Sequence, residues 1–158
     1  MVLMDKKTYL TGEGFKKVIR ELDELKNVKR KVIAERIQDA KELGDLSENA
    51  EYAEAKNEQS FTEGRIAELE TIVKNAEIID SSKLTAVSVE VGNTVKLKAE
   101  ENISREFSIV GSNEADPNTG RISNESPLGQ AMLGKRVGEE VVIFTPGGRI
   151  SYTIESII

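Results

Sequence analysis

The side chains of this chain whose type and spacing could support chemistry are two carboxylates three residues apart, Asp45 and Glu48. They stand in a short acidic segment, residues 44–49, between two long helical patterns. Side chains at this spacing can share one face. Two carboxylates can help to ligate one divalent cation whose shell water completes, but they do not make a tight site alone. The pattern therefore implies a partner that supplies further oxygen ligands.

The same spacing also fits a helix cap. With Asp45 as the N-cap and Glu48 at the third helical position, the pair resembles a capping box, which only stabilises the start of a helix. From spacing alone, capping is the favoured interpretation. The two roles compete, because a carboxylate held by backbone N–H groups has fewer lone pairs left for a cation.

Basic residues precede the acidic segment and flank it. A basic cluster comprises Lys26, Lys29, Arg30, Lys31 and Arg36, and two lysines stand nearer the acids, Lys41 and Lys56. Such cations could contact the phosphates of a nucleic acid. For the cluster by itself, a solvated helix surface with charge pairs is the favoured interpretation.

Composition excludes several other chemistries. The 158 residues include no cysteine and no histidine, which excludes disulfides, thiolate catalysis, zinc sites with those ligands and a histidine general base. The remaining carboxylates favour hard cations such as Mg²⁺. The net charge of −6 argues against a free-standing nucleic-acid binder, so any such contact must come from a local patch.

No membrane contact is expected. The apolar runs are only a few residues long, far too short to cross a bilayer. The first ten residues lack the apolar stretch of a signal peptide. We therefore expect a cytoplasmic protein.

Two long helices are predicted to position the acids. Apolar residues recur at helical spacing over 15–43, with Thr11 as the N-cap and Gly44 as the terminating glycine. A second helix is predicted over 46–78. Its heptad seam becomes small or polar toward the turn and runs, from the far end, through Ala76, Val73, Leu69, Ile66, Thr62, Gln59, Ala55 and Tyr52. Two such helices make an antiparallel hairpin about 45 Å long, one end of which we expect to project.

After residue 80 the periodicity changes to that of strands. Strands are predicted over 87–91, 95–97 and 107–110, with a turn at Gly92-Asn93 and a polar loop over 111–120. A short helix is predicted from Ser126-Pro127 to Gly134, followed by a β-hairpin over 141–157. The prediction is an α+β protein with a helical domain over 1–80 and a compact domain over 81–158.

Several segments resemble one known family, the bacterial transcript cleavage factors GreA and GreB. Residues 44–52, Gly-Asp-Leu-Ser-Glu-Asn-Ala-Glu-Tyr, resemble the family signature, and the likeness continues over 55–59 and 61–66. In the second half, Glu114-Ala115-Asp116, Ser126-Pro127 and Thr145-Pro146-Gly147-Gly148 also look like this family. The resemblance covers essentially the whole chain in order.

The resemblance implies an N-terminal coiled coil and a C-terminal domain similar to FKBP prolyl isomerases. It implies a monomer whose C-terminal domain docks on bacterial RNA polymerase while the coiled coil enters the secondary channel. The two tip acids of the family correspond to Asp45 and Glu48, which reverses the preference for capping. They would help to hold Mg²⁺ together with polymerase aspartates, so that the polymerase cleaves the 3′ end of backtracked nascent RNA.

In this interpretation the chain is not itself an enzyme, and the free protein does not bind Mg²⁺ tightly. The candidates for steering the extruded RNA are Lys29, Arg30, Arg36, Lys41 and Lys56. The chain departs from the family at three positions near these residues. Ser47 replaces a frequent basic residue, Leu43 a frequent histidine, and Lys31 a common proline.

Three alternatives remain open. The first is a polymerase inhibitor of the same shape that enters the channel without promoting cleavage. The second is a prolyl isomerase, for which the second domain offers only Phe107, Phe144 and Tyr152 as aromatic lining. The third is a plain coiled-coil scaffold, which would not explain the acidic signature.

Overall fold

The computed structural model describes residues 6–158 of the chain. Residues 1–5, which belong to the stretch without a signal-peptide pattern, lie outside the described range. The described chain forms two compact units. Phe15–Asn75 forms the helical unit, and the described residues before and after it form the sheet unit.

This division differs from the predicted boundary at residue 80. Strand β1, Thr8–Leu10, pairs in parallel with β2, Ala76–Ile78, so that Thr8 faces Ala76. This pairing joins the start of the described chain to the segment that follows the second long helix. The residues before Phe15 therefore cluster with the second half of the chain and not with the helices.

The first long helix has three parts. Helix α1 spans Gly12–Glu24, a π-helical stretch spans Leu25–Lys29, and α2 spans Arg30–Glu42. An α-helix turns about 100° per residue, so the eight residues from Leu25 to Ile33 would rotate the apolar face by about 80°. The wider π-helical turn takes up part of this rotation, which keeps Leu25 and Ile33 nearer to one face. At the start of α1, Thr11 Oγ1 accepts a hydrogen bond from the Gly14 N–H at 3.0 Å, which confirms the predicted N-cap.

The second long helix, α3, spans Ala50–Asn75 and is shorter than predicted at both ends. The four residues before Ala50 belong to the turn, and the residues after Asn75 form β2. The predicted seam of α3 is confirmed at Ala55, Thr62, Ile66 and Leu69, whereas Ile72 is buried in place of the predicted Val73, which is half-buried. Helix α3 packs on α2, whose buried side chains are Ile33, Ile37 and Ala40.

The sheet unit contains a five-stranded sheet in the order β5-β4-β3-β7-β6. Its strands are β3 Thr94–Ala99, β4 Ser104–Val110, β5 Arg121–Ser123, β6 Glu140–Thr145 and β7 Gly148–Ile157. All neighbours pair antiparallel except β4 and β5, which are parallel. Helix α4, Pro127–Met132, begins at the N-cap Ser126, as predicted, and contributes the fully buried Met132 to the core.

One predicted strand is absent from the described chain, and the three short strands β1, β2 and β5 were not predicted. Residues 87–91 do not form a strand, although Val89 is buried and its N–H donates to the Lys135 carbonyl at 2.8 Å. Strand β5 was not predicted and lies directly after the polar loop. No helix among residues 6–158 is both long and apolar enough to span a membrane.

Candidate functional site at the hairpin turn

The two predicted site acids lie in the turn between α2 and α3, which we call the tip turn and define as residues 44–49. Helix α2 ends at Glu42, and Gly44 takes a positive φ of 129°, which confirms the predicted glycine terminator. Asp45 and Glu48 are both exposed, as are all residues from Lys41 to Glu48. The sequence therefore correctly predicted that the hairpin presents these two carboxylates to solvent.

The cap of α3 is Asn49, so the capping interpretation, which spacing alone favoured, is wrong. Asn49 Oδ1 accepts a hydrogen bond from the Tyr52 N–H at 3.1 Å. Its Nδ2 donates to the Ala40 carbonyl at 2.7 Å, across the turn. Asp45 lies four residues before the cap and Glu48 lies one residue before it. Neither carboxylate accepts a hydrogen bond from the first N–H groups of α3. Asn49 was missed because the apolar-periodic pattern placed the helix start too early, although an asparagine followed by Glu51 is a usual N-terminal signal.

Asp45 is held by its neighbour Ser47. The Ser47 N–H and hydroxyl both donate to Asp45 Oδ1, at 3.0 and 2.9 Å. These two bonds lower the pKa of the Asp45 carboxyl, because both stabilise the ionised form. Both go to one oxygen, so the other oxygen, Oδ2, remains available to a cation. Ser47, which stands where the family often has a basic residue, therefore orients the Asp45 carboxylate in this chain.

The tip turn offers part of a metal shell. No group of three or more Asp, Glu, His or Cys side chains within residues 6–158 is arranged to hold a metal ion. Two exposed carboxylates with a free oxygen fit a hard cation that takes its other ligands from water or from a partner. The chemistry of these two carboxylates is that of ligands for a hard cation such as Mg²⁺.

Four of the five residues of the basic cluster are paired with acids of α3, and the first of them is Lys26, which forms an ion pair with Glu70. Lys29 Nζ lies 3.1 Å from Glu58, whose other oxygen accepts from Arg36. Arg30 binds Glu63 through two bonds of 2.8 Å, which lower the pKa of the Glu63 carboxyl. The favoured interpretation of the cluster, a helix surface with charge pairs, is confirmed for these residues.

The two lysines nearest the turn are arranged differently. Lys41 is exposed in the last turn of α2, and within the described part of the chain its ammonium has neither a hydrogen bond nor an ion pair. Lys56 is exposed on α3 and donates to the neutral Gln59 at 2.8 Å. Both retain a positive charge that no carboxylate neutralises. Among the candidates for RNA contact, these two lysines are the ones whose charge is not already neutralised by a carboxylate of the hairpin.

The three aromatic side chains considered for an isomerase site lie in different environments. Phe107 and Tyr152 pack against the core, whereas Phe144 is 81% exposed. An enclosed, aromatic-lined site of the usual kind needs aromatic side chains that face one cavity, and the exposed Phe144 does not meet that requirement. The isomerase alternative therefore has no support from these three residues.

Two family models match the chain, one on each side of residue 80. The model described as "Transcription elongation factor, N-terminal" matches residues 8–78, and "Transcription elongation factor, GreA/GreB, C-term" matches residues 84–158. Together they cover nearly the whole chain and include the tip turn. The chain belongs to the GreA/GreB family of transcription elongation factors.

Curated relatives agree with this assignment. The transcription elongation factor GreA of Caldanaerobacter subterraneus subsp. tengcongensis is 52% identical over 152 residues, covering 96% of this chain and 97% of the relative. The GreA of Clostridium acetobutylicum is 51% identical over 156 residues, covering 97% and 98%. The solved structure of GreA factor homolog 1 of Thermus thermophilus is 26% identical, covers 97% of this chain and 99% of its own, and superposes with a TM-score of 0.46. Because this score is low, the family assignment rests on the family models and the sequence relatives.

Proposed function

We propose that this chain binds bacterial RNA polymerase through the secondary channel and stimulates cleavage of the 3′ end of backtracked RNA. The observation that carries the proposal is the tip turn, where Asp45 and Glu48 are exposed and neither caps a helix. Asp45 accepts from Ser47 through Oδ1 alone and keeps Oδ2 unbonded, and within residues 6–158 the Glu48 carboxylate has no hydrogen bond or ion pair. Both acids therefore keep carboxylate oxygens available to a ligand outside the chain.

In the proposed reaction, the polymerase supplies the active site and this chain supplies two further oxygen ligands. The Mg²⁺ ion shared between them would help to generate the attacking hydroxide and to stabilise charge on the phosphodiester. Asp45 would bind through Oδ2 while Ser47 holds Oδ1, which fixes the direction of the carboxylate. Glu48 would contribute the second carboxylate. The chain is a stimulating factor in this scheme and does not cleave RNA alone.

Lys41 and Lys56 are the residues we propose for steering the extruded RNA. Lys41 lies one residue before the end of α2, and Lys56 lies six residues after the start of α3, about 9 Å along the helix axis. Both are thus near the tip turn without being part of it. Lys29, Arg30 and Arg36 could contact phosphates only if their ion pairs with glutamates broke. We therefore propose that they contribute less to RNA binding than Lys41 and Lys56 do.

The proposal is tested by adding the protein to stalled bacterial RNA polymerase that carries end-labelled RNA. Wild-type protein is expected to shorten the transcript, and Asp45→Asn is expected to abolish this effect while polymerase binding persists. Asparagine keeps an oxygen that can accept from Ser47 but replaces the free oxygen with an amide N–H₂, which cannot ligate a cation. Glu54→Gln is the matched control, because Glu54 is an exposed acid on the same hairpin but outside the tip turn.

Other outcomes of this experiment would support other conclusions. Polymerase binding that blocks transcription without shortening the RNA would identify an inhibitor of the same shape. Equal cleavage by wild type and Asp45→Asn would overturn the role of the tip acids. A loss of cleavage and of binding together would show that the substitution damages the hairpin. Sedimentation and localisation measurements test the expected monomeric state and the expected cytoplasmic location.

A further inference from the structure

We propose that Asn49 is a positioning residue that holds the tip turn so that Asp45 and Glu48 face a shared cation. This inference rests on the proposed function. Asn49 does not touch the RNA or the ion in this scheme. It acts by fixing the backbone that carries the two carboxylates.

The geometry of Asn49 joins the two helices. Its Oδ1 accepts from the Tyr52 N–H at 3.1 Å, and its backbone carbonyl accepts from the Ala53 N–H at 3.1 Å, so it is the N-cap of α3. Its Nδ2 donates at 2.7 Å to the carbonyl of Ala40, near the end of α2. One side-chain amide therefore satisfies an orphan donor of α3 and bonds to the last turn of α2.

The tip turn has little else to order it. The apolar cluster beneath it consists of Ile33, Ile37 and Ala55 with Tyr52 against them, and Ala40 is the last buried residue of α2. Every residue from Lys41 to Glu48 is exposed, and Asn49 is the half-buried residue at which the turn meets the packed helices. Hydrogen bonds must therefore hold this segment where apolar packing does not.

The amide is needed for both bonds at once, because one side chain must accept from one helix and donate to the other. Aspartate and serine at this position would keep a good N-cap acceptor. Aspartate would lose the donor to the Ala40 carbonyl, and serine is too short to reach across the turn. Both substitutions separate the positioning role from helix capping.

The experiment measures cleavage by stalled polymerase at saturating factor over a range of Mg²⁺ concentrations. It compares wild type with Asn49→Ser and Asn49→Asp, and uses Asn57→Ser and Asn57→Asp as controls. Asn57 is an exposed asparagine on α3, so its variants make the same chemical change, including the added charge, away from the turn. Polymerase affinity and helix content by circular dichroism are measured for each variant.

We expect both Asn49 variants to bind polymerase as wild type does but to cleave about 10–100-fold more slowly at low Mg²⁺, as is typical when a residue that orients metal ligands is lost. Excess Mg²⁺ should restore much of the rate, because it compensates for a weakened shared site but not for a misfolded hairpin. The Asn57 variants should match wild type throughout.

Three results would overturn the inference. Wild-type rates from the Asn49 variants at every Mg²⁺ concentration, with Asp45→Asn inactive, would remove the positioning role and leave the proposed function standing. Parallel losses of helix content and polymerase affinity, without rescue by Mg²⁺, would assign Asn49 a purely structural role. If wild type itself fails to stimulate cleavage, the proposed function fails and the positioning role fails with it.

Discussion

Replacing Arg36 and Glu58 with alanine, singly and together, tests whether the basic cluster serves the hairpin or the RNA. Arg36 donates to Glu58 and its other terminal nitrogen lies 3.6 Å from Glu51, so one guanidinium joins α2 to two positions on α3. Glu58 also holds Lys29 at 3.1 Å. The pair is therefore the centre of a small charge network between the helices.

The expected coupling free energy between Arg36 and Glu58 follows from the exposure of their side chains. The side chains of Arg36 and Glu58 are 35% and 31% exposed, so solvent screens part of their attraction. A pair of this kind is worth about 0.5–1 kcal/mol in a double-mutant cycle, near the upper end for surface pairs. For a chain of this length, that coupling corresponds to about 1–4 °C in the midpoint of thermal unfolding.

The assay combines unfolding with cleavage. Unfolding by heat or urea, followed by circular dichroism, gives the coupling free energy between the two positions. Cleavage is then measured at saturating factor on polymerase backtracked by few or by many nucleotides, at low and high salt. We expect both single variants to lose similar stability and to cleave both complexes alike, because a neutralised guanidinium has little charge left for phosphates.

One result would refute this reasoning. If Arg36 contacts RNA, Arg36→Ala should lose cleavage selectively on deeply backtracked complexes and at high salt. Glu58→Ala should then gain activity on the same complexes, because it releases Arg36 and Lys29 for phosphate contact. Opposite effects of the two single variants would therefore show that the basic cluster contacts RNA.

Two other predictions concern the tip. Lys41→Ala with Lys56→Ala should weaken cleavage most on deeply backtracked complexes and should reduce its dependence on salt, since phosphate contacts release counterions; a uniform loss that is insensitive to salt would contradict steering. Ser47→Ala should raise the pKa of Asp45 only part of the way toward its usual value, because alanine removes the hydroxyl that donates to Oδ1 but keeps the backbone N–H, which is the larger cause of the lowered pKa. An NMR titration of the Asp45 carboxyl measures this shift, and an unchanged pKa would mean that the bond from the Ser47 hydroxyl is absent in solution.

Local patterns were enough to predict much of the fold. Apolar periodicity and Gly44 gave the two helices and their turn, and strand alternation with Pro146-Gly147 gave the final β-hairpin. The short strands were not predicted, because β1, β2 and β5 have only three residues each. Their pairing is decided by distant partners, as when Thr8 faces Ala76. Three residues carry too little alternation to signal a strand.

The site was predictable by residue type but not in its contacts. Asp45 and Glu48 could be selected because two acids in a predicted turn are unusual and match a family signature. The bond from Asn49 to Ala40 spans nine residues, and that from Arg30 to Glu63 spans 33. Both depend on how α2 and α3 align, which helical periodicity alone does not fix. The sequence therefore indicated what the turn presents but not what holds it.

Stabilisation of the hairpin changes in kind toward the turn. Far from the turn the seam is filled by large side chains such as Leu69 and Ile66, whereas near it the buried residues are the small Ala40 and Ala55. Small seam residues let two helices approach closely but bury little apolar surface, so they contribute little hydrophobic free energy. Ion pairs on the flanks and the Asn49 amide must then fix the alignment of the last turns. A hairpin built in this way stays slender at its end and still presents Asp45 and Glu48 from an ordered backbone, which is the combination that entry into a channel would require.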